Sequence, residues 1–106
     1  MEKRDLKRTD KRLFVKFGKD HPEKIGFTGD ISSSGIFIKT NSVFNPGTSL
    51  MMELTLPDKK ILKMQGKVMW AKKVPPSLHR FTKKSGMGVL IQHPPAEYTA
   101  FIAGLK

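Results

Sequence analysis

The sequence predicts an all-β domain with one C-terminal helix: six antiparallel strands closed into a small barrel of the split-barrel type. Three observations carry that prediction. Apolar residues recur with period two through the middle of the chain, the signature of strands with one face in a core and one in water. Turn residues rather than helical segments separate these stretches, so neighbouring strands pair antiparallel and short connections suffice. Only the C-terminal segment changes to a helical period. At 106 residues the chain supports one domain with one modest core.

The elements follow in order. Residues 1–11 read as a basic N-terminal arm, expected to be mobile until bound because Met1 and Leu6 are its only large apolar side chains. Residues 12–106 form the single barrel domain. Leu13, Val15 and Phe17 alternate with Phe14 and Lys16 as the first strand; Ile25 and Phe27 begin the second, and Ile36 to Thr40 make the third. Asn45-Pro46-Gly47 is a turn. Leu50, Met52, Leu54 and Leu56 mark the fourth strand, and Leu62, Met64, Gly66, Val68 and Trp70 the inward positions of the fifth. Pro57-Asp58-Lys59-Lys60 between them carries hairpin turn chemistry. This alternation favours core packing for Trp70 over a role as a stacking platform for a base, and assigns most phenylalanines to core positions as well. Val74 to Ser85, with Pro75-Pro76, reads as a loop before a last strand through Met87, Val89 and Ile91. Tyr98, Phe101, Ile102 and Leu105 then fall at i, i+3, i+4 and i+7, one apolar stripe on a helix. Pro94-Pro95 and Glu97 suit its N-terminal end.

Composition narrows the function classes. With no cysteine there is no disulfide framework and no thiolate metal site. No apolar stretch approaches the roughly 20 residues that cross a bilayer. The charged start, Met1-Glu2-Lys3-Arg4-Asp5, leads to no secretory h-region, so a cytoplasmic protein is expected. His21, His79 and His93 show no metal-ligand spacing, Ser32-Ser33-Ser34 lacks a nucleophile-elbow context, and no phosphate-binding glycine loop is present. No enzyme activity, metal or cofactor is therefore expected. Charge points instead to binding. Twenty basic residues against nine acidic ones give a net charge of +11, which attracts phosphates. Sixteen of the twenty are lysines; three of the four arginines, Arg4, Arg8 and Arg12, are clustered near the start at a spacing of four. Arginine presents a planar fork suited to phosphate and to the edge of guanine. The arm is where an anion is gripped.

Two short motifs stand out. Arg8-Thr9-Asp10-Lys11-Arg12 is an R-x-x-x-R directly before a strand, and Asp30-Ile31-Ser32-Ser33-Ser34-Gly35 is a D-x-S-x-x-G between two strands. Alone, the first reads more readily as a solvated arm and the second as an ordinary turn. In this order and architecture, the pair resembles the PilZ domain family, bacterial receptors for the second messenger cyclic di-GMP. Val68-Met69-Trp70 followed by Gly86-Met87-Gly88-Val89 is similar to that family's fifth and sixth strands, and the likeness runs from about Lys7 to Leu105. The resemblance implies a PilZ-like barrel and ligand-binding residues at Arg8, Arg12, Asp30, Ser32 and Gly35. Lys7, Arg4, Ser33 and Ser34 are possible additions. Arg4 and Arg8 form a second R-x-x-x-R, but Arg12 abuts Leu13-Phe14-Val15 as the family pattern requires, which selects Arg8 and Arg12. Lys7 stands where many members carry another arginine.

Ligand chemistry fits these residue types. Guanine O6 and N7 accept an arginine fork, and a guanidinium can also stack on the base. N1–H and N2–H₂ are donors that need an acceptor such as the Asp30 carboxylate, while Ser32 offers a hydroxyl and Gly35 a backbone free of Cβ. The expected function is a non-enzymatic cyclic di-GMP receptor, signalling through ordering of its arm and contact with a downstream protein. Two alternatives come from other classes: a general single-stranded nucleic-acid-binding barrel, and a PilZ-like interaction domain that binds no nucleotide. The apparent scarcity of exposed aromatics argues against the first, and the intact motifs against the second.

Overall fold

Apolar alternation closes this chain into a ring of strands. In a computed structural model, which describes residues 9–74 and 85–105, the described residues form seven strands and one helix. The strands are β1 (Thr9–Asp10), β2 (Phe14–Gly18), β3 (Lys24–Ile31), β4 (Gly35–Lys39), β5 (Ser49–Thr55), β6 (Ile61–Lys72) and β7 (Gly86–Gln92); the helix is α1 (Ala96–Ala103). β2, β3, β4, β7, β6 and β5 pair antiparallel around a closed circuit, so the expected six-stranded barrel is present. Its interior is largely aliphatic: Val15, Ile36, Ile38, Leu54, Val68 and Met87 are fully buried there, each stabilising by about 1.5–3 kcal/mol. The β5–β6 hairpin turns at residues 57–60, where Asp58 Oδ1 accepts from Lys60 N at 3.0 Å. The helical stripe lies as the period predicts, with Tyr98 buried and Phe101, Ile102 and Leu105 packed against the core. Gly104 ends the helix, donating to the Ala100 and Phe101 carbonyls.

The seventh strand was not anticipated. β2 leaves β3 after the Phe14–Phe27 pair, which would expose the backbone of Gly29–Ile31 as an open edge. β1 covers that edge, setting Thr9 opposite Ile31 and Asp10 opposite Asp30. Residues 9–11 of the arm therefore lie against β3. Arg4, Lys7 and Arg8 lie outside the described residues, as does most of the loop expected between Val74 and Ser85.

The assignment of Trp70 and most phenylalanines to the core is corrected, by a bulge in β6 for Trp70 and by the opposite strand parity for Phe14, Phe27 and Phe37. In β6 the register slips between Val68, opposite Val89, and Trp70, opposite Gly88. The extra residue reverses the in–out pattern, leaving Met69 54% and Trp70 49% exposed. In β3 the inward residues are Gly26 and Thr28, so Ile25 and Phe27 face outward. In β4 Ile36 and Ile38 point inward and Phe37 outward. Of the described phenylalanines, Phe17 alone is buried; Phe44 packs edge-on against it from the core margin.

Candidate functional site

Arg12 lies in the break between β1 and β2, a segment with too few ladder bonds to hold itself. Thr28 holds it. The threonine is buried at 1% exposure, and its Oγ1 accepts from Leu13 N at 2.8 Å while donating to the Lys11 carbonyl. Its own backbone N–H donates to the Leu13 carbonyl at 2.9 Å, and Lys11 N donates to the Gly29 carbonyl at 3.2 Å. Both peptides flanking Arg12 are thus anchored to β3, and its side chain is laid over the outer face of the barrel. There the guanidinium carbon stands 4.2 Å from the centroid of the Phe27 ring, a cation–π contact that orients the fork. Phe14 supports Phe27 edge-on at 5.8 Å.

Asp30 owes its position to a second bulge. The β3–β4 register slips between Thr28 and Ile31, so Gly29 and Asp30 lie in the distorted stretch at the end of β3, both partly exposed. Bulges re-aim side chains in this way at functional edges. Arg12 and Asp30 meet in an open recess of about 580 Å³, lined also by Asp10, Lys11, Thr28, Gly29, Phe37 and Lys39. That volume is typical of small-molecule sites. A second recess of about 460 Å³ shares Arg12 and Lys39 and extends past Phe27 to Thr40, Asn41 and Ser85. Chemically the first recess sets three cations, Lys11, Arg12 and Lys39, beside two carboxylates. The cations suit phosphates and base acceptors; the carboxylates suit base donors.

Ser32 and Gly35 take a different position. Neither lines the recess that holds Arg12 and Asp30. Ser32 is fully buried, and its Oγ accepts from Gly35 N at 3.1 Å and Ser34 N at 3.4 Å. Ser32 N also donates to the Gly35 carbonyl at 2.9 Å, closing the β3–β4 turn on itself. Tyr98 braces that turn from the helix, donating its hydroxyl to the Ser32 carbonyl at 2.6 Å. Ser33 is exposed and Ser34 half-buried on the same turn. The D-x-S-x-x-G motif therefore combines one residue facing the recess with others that fix the turn beside it.

Six recess residues lie outside those assigned from the sequence: Asp10 and Lys11 within the R-x-x-x-R, Gly29 beside Asp30, and Thr28, Phe37 and Lys39. Thr28 carries no marker, because the parity set by Ile25 and Phe27 places position 28 outward. Phe37 was recognisable as the outward member of Ile36-Phe37-Ile38. Lys39 is one of sixteen lysines, and no signal in the sequence separates it from the others. Among the described residues no group of three His, Cys, Asp or Glu side chains could hold a metal, and no helix is long and apolar enough to cross a membrane.

Comparison with known proteins gives two findings. The sequence model of the PilZ domain matches residues 2–100. Among solved structures, the chain is similar to the Bacillus subtilis inhibitor of motility MotI/DgrA, with a TM-score of 0.75 and 21% sequence identity. That match covers 96% of this chain but 48% of the other, so the chain spans about half the length of that protein. No curated protein matches significantly.

Proposed function

The chain belongs to the PilZ domain family, and on that premise we propose that it is a receptor domain for cyclic di-GMP. One observation carries the reading: Arg12 and Asp30, eighteen positions apart, line one recess on the outside of the barrel. Arg12 would present its fork to a guanine edge or a phosphodiester, and Asp30 would accept from N1–H and N2–H₂ of a guanine. Arg8 would add a second guanidinium from the arm, with Lys7 and Arg4 as further cations. Ser32 and Gly35, with Ser33 and Ser34, would shape the turn against which the ligand rests. The receptor works without catalysis or cofactor, in the cytoplasm, and its output is a changed surface. Ligand phosphates draw the basic arm onto the recess, and the arm so placed meets a downstream protein. The similar solved structure bears the name of an inhibitor of motility, a regulatory role in keeping with a receptor domain.

Isothermal titration with cyclic di-GMP tests the reading. Arg12→Ala should weaken binding about 5- to 150-fold, as removing a bidentate arginine does, whereas Lys106→Ala should leave it unchanged. Absence of heat and of thermal shift at about 100 µM ligand would overturn it, a level far above the Kd of a specific pocket. Single-stranded nucleic acid is the competitor to include, because Phe14, Phe27, Phe37 and Trp70 all lie on the outside of the barrel. Charge-driven binding of that kind falls steeply with salt and is displaced by any oligonucleotide. Amide exchange with and without ligand reports on the arm: equal protection in both states would remove the switch while leaving the binding.

A further inference from the structure

The outer face of β3, β4, β7 and β6 carries an arrangement that neither sequence motif includes. Three glycines on it, Gly29, Gly86 and Gly88, have no room for a side chain. A Cβ would come within 2.6 Å of the Phe37 ring at Gly29, 2.5 Å at Gly86, and 2.1 Å of the Trp70 indole at Gly88. The two rings lie directly on the sheet because these positions are bare. They are nearly parallel, with 16° between planes and 5.4 Å between centroids, so they form one aromatic floor. Phe37 lines the recess of Arg12 and Asp30, while Trp70 carries the floor outward, half exposed. Phe27, the other ring beside Arg12, has the guanidinium over it. Lys39 runs along the same surface, its Cε 3.1 Å from where a Gly29 Cβ would stand, and it lines both recesses.

We propose that Phe37, backed by Trp70, is the platform on which a purine base of the bound nucleotide stacks, and that Lys39 pairs with the adjoining phosphodiester. The inference rests on the cyclic di-GMP reading and adds the residues that select a planar, anionic ligand. An aromatic face gives base stacking that tolerates any base, so this subsite supplies affinity and Asp30 supplies the choice of guanine. The glycines under the rings are part of the device, since they hold the floor flush with the sheet.

Titration calorimetry with cyclic di-GMP on the whole chain tests the proposal, alongside emission from Trp70, the sole tryptophan. Phe37→Ala and Phe37→Leu should each weaken binding about 5- to 150-fold, the loss typical of a deleted stacking partner. Leucine still covers Gly29 and Gly86, so it separates a lost π face from a lost filler and keeps the test valid if the alanine variant folds poorly. Lys39→Gln should weaken binding and flatten its salt dependence. Trp70 emission should change on ligand addition in the wild type. Wild-type affinity in either Phe37→Leu or Lys39→Gln would overturn the proposal while the receptor reading stood. A wild-type chain that binds no cyclic di-GMP would overturn the receptor reading itself.

Discussion

Replacing Thr28 by valine removes one hydroxyl and nothing else of size, and it tests how the arginine is held. The hydroxyl serves two peptides at once, accepting from Leu13 N at 2.8 Å and donating to the Lys11 carbonyl. Lys11 is half-buried and its carbonyl can turn to water; Leu13 is buried at 6% exposure, and its N–H would lose its partner. Leaving a buried donor unsatisfied costs about 1–3 kcal/mol. The added methyl in place of the hydroxyl returns at most about 0.8 kcal/mol of burial. With that offset in full the net loss is about 0.2–2 kcal/mol, which at about 4 °C per kcal/mol for a domain of this size lowers Tm by about 1–9 °C. The same change frees the peptides on either side of Arg12, so affinity for cyclic di-GMP should fall as well, because the guanidinium must then be ordered by the ligand. Thr28→Ser keeps the hydroxyl and should keep the affinity, losing only methyl burial. Thermal melts and calorimetric titration on the same preparations decide the matter. A Thr28→Val protein with wild-type Tm and wild-type affinity would refute the argument that this side chain anchors Arg12.

Other consequences are as specific. Asp30→Ala should reduce cyclic di-GMP affinity by about 1–3 kcal/mol through unpaired guanine donors, with Asp30→Asn in between, as titration of folded protein would measure. Ser32→Ala should act on stability first, by about 1–2 kcal/mol, because its hydroxyl is taken up by the N–H groups of Ser34 and Gly35; chemical denaturation reads this directly. Gly66→Ala should destabilise by about 1–3 kcal/mol through overpacking, since its Cβ would stand 2.5 Å from Val89 Cγ1 and 3.0 Å from the Leu90 carbonyl inside the barrel; a melt without ligand is sufficient.

How much of this was legible follows from which signals are periodic. Strand parity exposed the barrel, since Leu50 to Leu56 and Leu62 to Val68 alternate with Met51 as the exception and do pair as a hairpin. Parity also placed the helix, whose stripe through Tyr98 is spaced for one face. Bulges are not periodic. The slip after Val68 costs one residue of register and sends Trp70 outward, and nothing local in Val68-Met69-Trp70 announces it. The slip between Thr28 and Ile31 likewise shapes the stretch that holds Asp30 without a marker beyond Gly29. Arg12 and Asp30 could be named from their residue chemistry and spacing, and the structure brings them to one recess. That Ser32 would spend its hydroxyl on its own turn was a matter of geometry, because the same D-x-S-x-x-G letters serve a turn and a ligand equally well. Thr28 was hidden for the opposite reason: an inward threonine carries no functional label until its partners are known.

The bond from the Tyr98 hydroxyl to the Ser32 carbonyl joins positions 66 residues apart, and it bears on the order in which the molecule is built. β4 closes the ring only when β7 arrives to pair with it, and the turn before β4 is braced only when α1 docks after that. Such distant pairings form late, since the loop entropy is lost before the contact returns anything. During synthesis residues 8–35 leave the ribosome well before residues 96–103, so the turn beside the recess waits for its brace. A chain truncated before α1 would carry every letter of both motifs and leave the turn beside the recess without its brace. The brace on that turn is therefore a late event in folding, and loss of α1 should loosen the D-x-S-x-x-G turn from a distance.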